Sequence, residues 1–168
     1  MTRGPAEPRE RFARLAASLR DELARIERVV AEAAAAASRF AQDEPTRLEL
    51  RGIGDVLHDF YTGAERVFEK IAPELNGGVP AGPAWHRELL QNMTVEIPGV
   101  RPRVIAPATA RLLDEFLRFR HLFRSVYGFE LEWVRLRPLL DRVPPGWKAL
   151  RRDLETFVAF LEAAAAAE

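Results

Sequence analysis

The residues best suited to chemistry in this chain lie in one short run, Phe116-Leu-Arg-Phe-Arg-His-Leu-Phe-Arg-Ser-Val-Tyr127. Wound as a helix at about 100° per residue, this run puts Leu113, Phe116, Phe123 and Tyr127 on one face, with Leu112 and Leu117 beside them. Arg120 falls in the middle of that apolar stripe, Arg124 at its border and His121 a little further round, while Arg118 and Ser125 point the opposite way. A guanidinium set in an apolar stripe must be paired, because an unpaired charge withdrawn from water is costly. Two arrangements meet that need. One is a structural ion pair with a carboxylate of another helix, for which Glu65 is a candidate. The other is a phosphate held between the Arg120 guanidinium and the Tyr127 hydroxyl.

Other residues offer less. Tyr61 and Glu65 stand at i and i+4 of a predicted helix and can touch; the pair reads as local support, with Glu65 also able to orient Arg120. His58 and His86 lie on predicted helices near aromatic residues. His86, beside Trp85, reads either as packing or as a distant catalytic helper. No two histidines share a metal-ligand spacing, so no metal is expected, and nothing calls for a cofactor. Gly52 and Gly54 do not form a phosphate-binding loop, since no strand precedes them. Between Arg101 and Arg124 six arginines face only Asp114 and Glu115, an excess that can follow a phosphate backbone or coat an ordinary solvated helix.

The bulk of the chain narrows the classes. Its 168 residues suit one domain with a substantial core, and a composition 48% hydrophobic and 30% charged is that of a globular protein. The 25 basic and 25 acidic residues balance, so any affinity for nucleic acid must be local. With no cysteine, disulfides, thiol catalysis and cysteine zinc sites are excluded. The opening MTRGPAEPRERF lacks the apolar core of a signal peptide, and no apolar run is long enough to span a bilayer, so a cytoplasmic protein without membrane contact is expected.

The elements that must position the run are helices. Residues 1–7 read as a loose tail. From Pro8, Phe12, Leu15, Leu19, Leu23, Ile26, Val30, Ala33, Ala37 and Phe40 recur at steps of three and four. After a break at Gln42-Asp43-Glu44-Pro45, a second stripe runs from Leu50 to Leu75 and stops at Asn76-Gly77-Gly78. The two predict an antiparallel helical hairpin. A short helix is expected near 84–93, then an extended connection through three prolines, then a helix from about Thr109 to Tyr127, stopped by Gly128. Leu131 to Leu140 predicts a further helical segment, interrupted at Pro144-Pro145, and the last helix runs from Trp147 to Ala167. The expected fold is all-α, an antiparallel bundle of about five helices in one domain over residues 1–168. The two long stripes ask for more cover than short helices supply, which points to a homodimer.

The segments LHDFYTGAERVFEKIA, WHRELL, IPGVRP and FRHLFRSVYGFEL, in that order, resemble the HepT-like branch of the HEPN superfamily, helical proteins typified by toxin ribonucleases. The resemblance covers most of residues 45–162. The motif of that branch is an arginine, a histidine a short helical interval later, and often a tyrosine two residues beyond. Carried onto this chain, the arginine is Arg120 and the tyrosine is Tyr127, while the histidine position holds Ser125. A serine hydroxyl does not exchange protons near neutral pH as imidazole does. His121 occupies the place where many relatives carry a polar residue.

The resemblance implies a bacterial type VII toxin–antitoxin pair, in which two protomers join their motifs into a composite, metal-independent site for cutting RNA. Arg120, with His121 and Arg124, would be catalytic and Glu65 and His86 supporting. The implied antitoxin is a minimal (MNT-type) nucleotidyltransferase that adds AMP to Tyr127. The alternative is a degenerate HEPN module that has lost its chemistry with the histidine, yet dimerises and binds a nucleotidyltransferase or a nucleotide.

Overall fold

The computed structural model describes residues 8–125 and 131–167. Within them the chain forms five helices: α1 (Pro8–Arg39), α2 (Arg47–Leu75), α3 (Trp85–Asn92), α4 (Pro107–Ser125) and α5 (Trp133–Ala166). No strand occurs among the described residues; the one sheet-like pairing is an isolated bridge between Ile97 and Arg101. The expected tail over residues 1–7, the tyrosine Tyr127 and the helix stop at Gly128 lie outside the described residues.

The stripe of α1 buries Leu15, Ala16, Leu19, Ile26 and Ala33. It packs antiparallel to α2 and to α5: Arg11 pairs with Glu74 near one end of the α1–α2 contact, and Arg20 and Arg151 join α1 to α5 through Glu162 and Glu27. Helix α2 begins where the polar break allows a cap. The Thr46 hydroxyl accepts from the Glu49 amide at 3.3 Å, and the Glu49 carboxylate accepts from the Thr46 amide at 2.8 Å. This reciprocal pair satisfies two amides that helix geometry leaves open. At the other end Gly77 takes φ +80°, a left-handed conformation suited to glycine, and the Gly78 amide donates back to the Ala72 carbonyl at 3.1 Å.

The prediction of an interruption at Pro144-Pro145 is overturned, since α5 continues from Trp133 to Ala166 through Pro138, Pro144 and Pro145. Each proline removes one backbone hydrogen bond, but burial on both sides outweighs the loss. Leu136, Leu140, Val143, Gly146, Trp147, Leu150 and Leu154 all face the core. At Gly146 the helix passes close to the edge-on pair Phe60 and Phe116, whose ring centroids are 4.9 Å apart. This long helix packs against α1 along much of its length.

The connection between α3 and α4 is folded more tightly than an extended segment. It turns at Gly99, where φ is +74°, and buries Arg101, Val104 and Ile105. The Arg101 guanidinium donates to the carbonyls of Asn92, Val95 and Pro102 and to Asn76 Oδ1. It thus closes the C-terminal end of α3 onto the end of α2. Helix α4 starts two residues before Thr109, at Pro107, a favourable first helical position. Its entry is tied to α5 by the Asp153 carboxylate, which accepts from the Ala106 amide at 2.8 Å and from the Thr109 hydroxyl at 2.6 Å.

Candidate functional site

Three helices converge on one buried carboxylate. Glu65 lies inside the apolar stripe of α2, with Tyr61, Ala64, Phe68 and Ala72 buried around it, and is itself 3% exposed. One of its oxygens receives Nη1 of Arg120 from α4, and the other lies 2.6 Å from Nδ1 of His86 on α3. Each helix therefore brings one polar group to a position that its own periodicity reserves for an apolar one. Arg120 follows Phe116 on the buried face of α4, as the helical wheel requires. His86 precedes Leu89, Leu90 and Met93 on the buried face of α3.

The arrangement answers the demand that Arg120 raised in the sequence: its partner is Glu65. The guanidinium lies over the Tyr61 ring, with its carbon 5.8 Å from the ring centroid, and the residue is 8% exposed. Burial raises the Tyr61 hydroxyl far above its ordinary range, and the neighbouring Glu65 charge adds to this. Tyr61 therefore stays neutral, and among the described residues neither its hydroxyl nor Nε of Arg120 has a hydrogen-bond partner. The expected contact of Tyr61 with Glu65 is not a hydrogen bond; Glu65 spends both oxygens on α3 and α4 instead.

His86 sits between an aromatic floor and a second imidazole. Its ring stacks on Trp85 at a centroid distance of 3.6 Å and an angle of 29°, and meets His121 edge-on at 5.4 Å and 80°. His121 is exposed at the rim. Partial burial, then the proximity of His86 and Arg120, lowers its pKa below the usual histidine value, which favours a neutral ring at neutral pH. His58, one α2 turn before Thr62, lies 5.8 Å from Phe123 and is lowered likewise, first by burial and then by Arg120. It belongs to the α2–α4 packing rather than to the Glu65 cluster. Glu69 is raised, by burial first and by Glu65 second.

The remaining residues singled out in the sequence are spread around this cluster. Arg124 is exposed one helical turn beyond Arg120. Ser125 is the last residue of α4, its side chain outside what is described, and Tyr127 lies beyond it, also undescribed. Of the six arginines between positions 101 and 124, three are already engaged: Arg101 with backbone carbonyls, Arg118 with Asp114 and Arg120 with Glu65. The basic excess of that segment is thus not a free cationic track. Gly54, set aside as a phosphate loop, serves helix packing: a Cβ there would lie 2.8 Å from Cε2 of Phe123. Among the described residues no group of three or more histidine, aspartate or glutamate side chains could hold a metal ion. No described helix is long and apolar enough to cross a membrane.

What sequence reasoning missed was the bond between His86 and Glu65. A signal for it existed, because His86, Glu65 and Arg120 each occupy a core-facing helical position. Polar residues at such positions on three separate helices can satisfy one another only by meeting.

A family model described as HepT-like protein matches residues 52–161, which takes in α3, α4 and most of α2 and α5, and so every described residue of the cluster. Neither a curated protein nor a solved structure matches the chain.

Proposed function

The chain belongs to the HepT-like family of the HEPN superfamily, and on that premise we propose that it is the toxin of a type VII toxin–antitoxin pair, a metal-independent endoribonuclease. The observation that carries this reading is the family match across the whole three-helix cluster, together with the pairing of the motif arginine, Arg120, with its central carboxylate, Glu65. In this reading two protomers pair so that their α4 helices face one another, and RNA enters between them. Exposed Arg124 attracts the phosphate backbone, while His121 lines the entrance. Arg120 and Glu65 set the geometry beneath. Cleavage of RNA without a metal requires a base for the ribose 2′-hydroxyl and a route for the proton to the departing 5′ oxygen; imidazoles at the cluster suit both tasks. The partner is an MNT-type nucleotidyltransferase antitoxin, and AMP added to Tyr127 would bring a bulky anion that blocks the groove.

Ser125 favours a second reading. With serine in the motif histidine position, the chain is a binding module that keeps the helical scaffold and its nucleotidyltransferase or nucleotide partner without cutting RNA. One experiment separates the two. Purified wild type, Arg120→Ala and Ser125→His are incubated with mixed-sequence RNA in the presence of a chelator. Cleavage by wild type and its loss in Arg120→Ala supports the nuclease. An inert wild type whose Ser125→His variant cuts supports the degenerate module. A chain that cuts in none of its forms overturns the nuclease.

A further inference from the structure

We infer that His86 on α3 takes over the proton transfer that the motif histidine would perform, with Glu65 as its positioning residue and Arg120 anchoring Glu65 from the far side. The inference rests on the nuclease reading above and names the group that does its chemistry.

The argument starts from the carboxylate. An ionised Glu65 only accepts hydrogen bonds, so the His86 nitrogen 2.6 Å away, Nδ1, must carry a hydrogen. That fixes the tautomer of the neutral ring and leaves Nε2 as the nitrogen with a lone pair. Trp85, stacked at 3.6 Å, and His121, edge-on at 5.4 Å, restrict the ring's rotation. The side chain of Glu65 is in turn immobilised by Arg120, both being more than nine-tenths withdrawn from solvent. Guanidinium, carboxylate and imidazole thus form a single chain from the core of α4 to the partly exposed ring on α3, whose side chain is 15% exposed. A carboxylate that orients one nitrogen of an imidazole so that the other works as a base is the division of labour found in hydrolytic triads.

The step balances within one imidazole. Nε2 of His86 removes the proton of the ribose 2′-hydroxyl as the 2′ oxygen bonds to phosphorus. The bond from phosphorus to the 5′ oxygen then breaks, and the imidazolium returns the proton to that oxygen. The products are a 2′,3′-cyclic phosphate and a 5′-hydroxyl, and Glu65 faces the imidazolium while it exists. The ionisable groups around His86 are Glu65 and Glu69 from α2, Arg120 and His121 from α4, and Arg87 of its own helix. Arg87 is exposed and lies 3.8 Å from Asp114 of α4.

The test uses the full chain, an RNA oligonucleotide and its counterpart with a single 2′-deoxy position. His86→Ala is expected to lower kcat/KM by about 10²- to 10⁴-fold, with a lowered melting temperature from the Glu65 oxygen left unpaired, and added imidazole is expected to restore part of the rate. His86→Asn, which can still donate to Glu65 but cannot shuttle a proton, is expected to be as inactive as the alanine variant. Glu65→Gln is expected to move the acidic limb of the pH–rate profile, whereas a merely structural Glu65 would lower the rate and leave the limb in place. If wild type cuts RNA and both His86 variants cut at the wild-type rate, the inference is overturned while the nuclease stands. If wild type itself cuts nothing, both fall together. Loss of activity that imidazole does not rescue, in a variant that also melts early, would overturn it in favour of a packing role for His86.

Discussion

The carboxylate of Glu65 on α2 holds the guanidinium of Arg120 on α4 with both side chains more than nine-tenths buried, and it shares its second oxygen with His86 on α3. A buried pair of this kind is costly to break from one side, because the partner left behind keeps its charge without compensation. Glu65→Leu is therefore expected to lower the unfolding free energy by about 3–5 kcal/mol, and Arg120→Met by a similar amount. The double variant Glu65→Leu with Arg120→Met removes both charges, so its cost should fall well short of the sum of the two. Urea denaturation of the four proteins checks this; additive losses would mean that the two groups do not stabilise one another.

Two glycines of α2, two residues apart, should respond oppositely to alanine. A Cβ at Gly54 would lie 2.8 Å from the Phe123 ring and 3.2 Å from Leu131 Cδ1, whereas one at Gly52 meets nothing within 4 Å. Gly52→Ala is expected to stabilise the protein by about 0.5–1 kcal/mol through backbone entropy alone. Gly54→Ala gains the same term but forces α2 and α4 apart, for a net loss of about 1–2 kcal/mol. The shift of α4 would also disturb Arg120, so Gly54→Ala should reduce any activity of the cluster and Gly52→Ala should not. Melting temperatures of the two variants, measured side by side, decide the matter.

The start of α4 depends on ionised Asp153. Burial works against its charge, but the hydrogen bonds from Thr109, Ala106 and Arg152 prevail and hold its pKa below the ordinary 3.8. A carboxylate lowered on folding contributes stability above its unfolded pKa and loses it as the pH falls through the folded value. Asp153→Ala should thus cost about 1–2 kcal/mol near neutrality, as loss of a helix cap does. The gap between wild type and variant should narrow below a pH of about 4. Thermal unfolding of both across that range provides the measurement, and a gap that stays constant with pH would show that the carboxylate acts only by its shape.

Much of the fold was legible because helical periodicity is a property of one segment at a time. The stripes of α1 and α2 and the glycine stop after Leu75 all appear where local patterning places them. The same locality misled at Pro144-Pro145. A proline is a local reason to end a helix, and the burial of Leu140, Val143, Trp147 and Leu150 that carries α5 through is not visible until the neighbouring helices are in place.

For the site, the sequence by itself determined that Arg120 had to find a partner. Arg120, Glu65 and His86 each stand where the period of their own helix demands an apolar side chain, and the family match spans all three. Only the tertiary structure decided that they meet one another, with Glu65 in the middle. The reason is that position on a helical face follows from a spacing of 3.6 residues, whereas the register between helices follows from side chains packing across them. Gly54 lets Phe123 approach, Phe60 meets Phe116, and Asp153 fixes where α4 begins; these contacts join residues far apart in the chain.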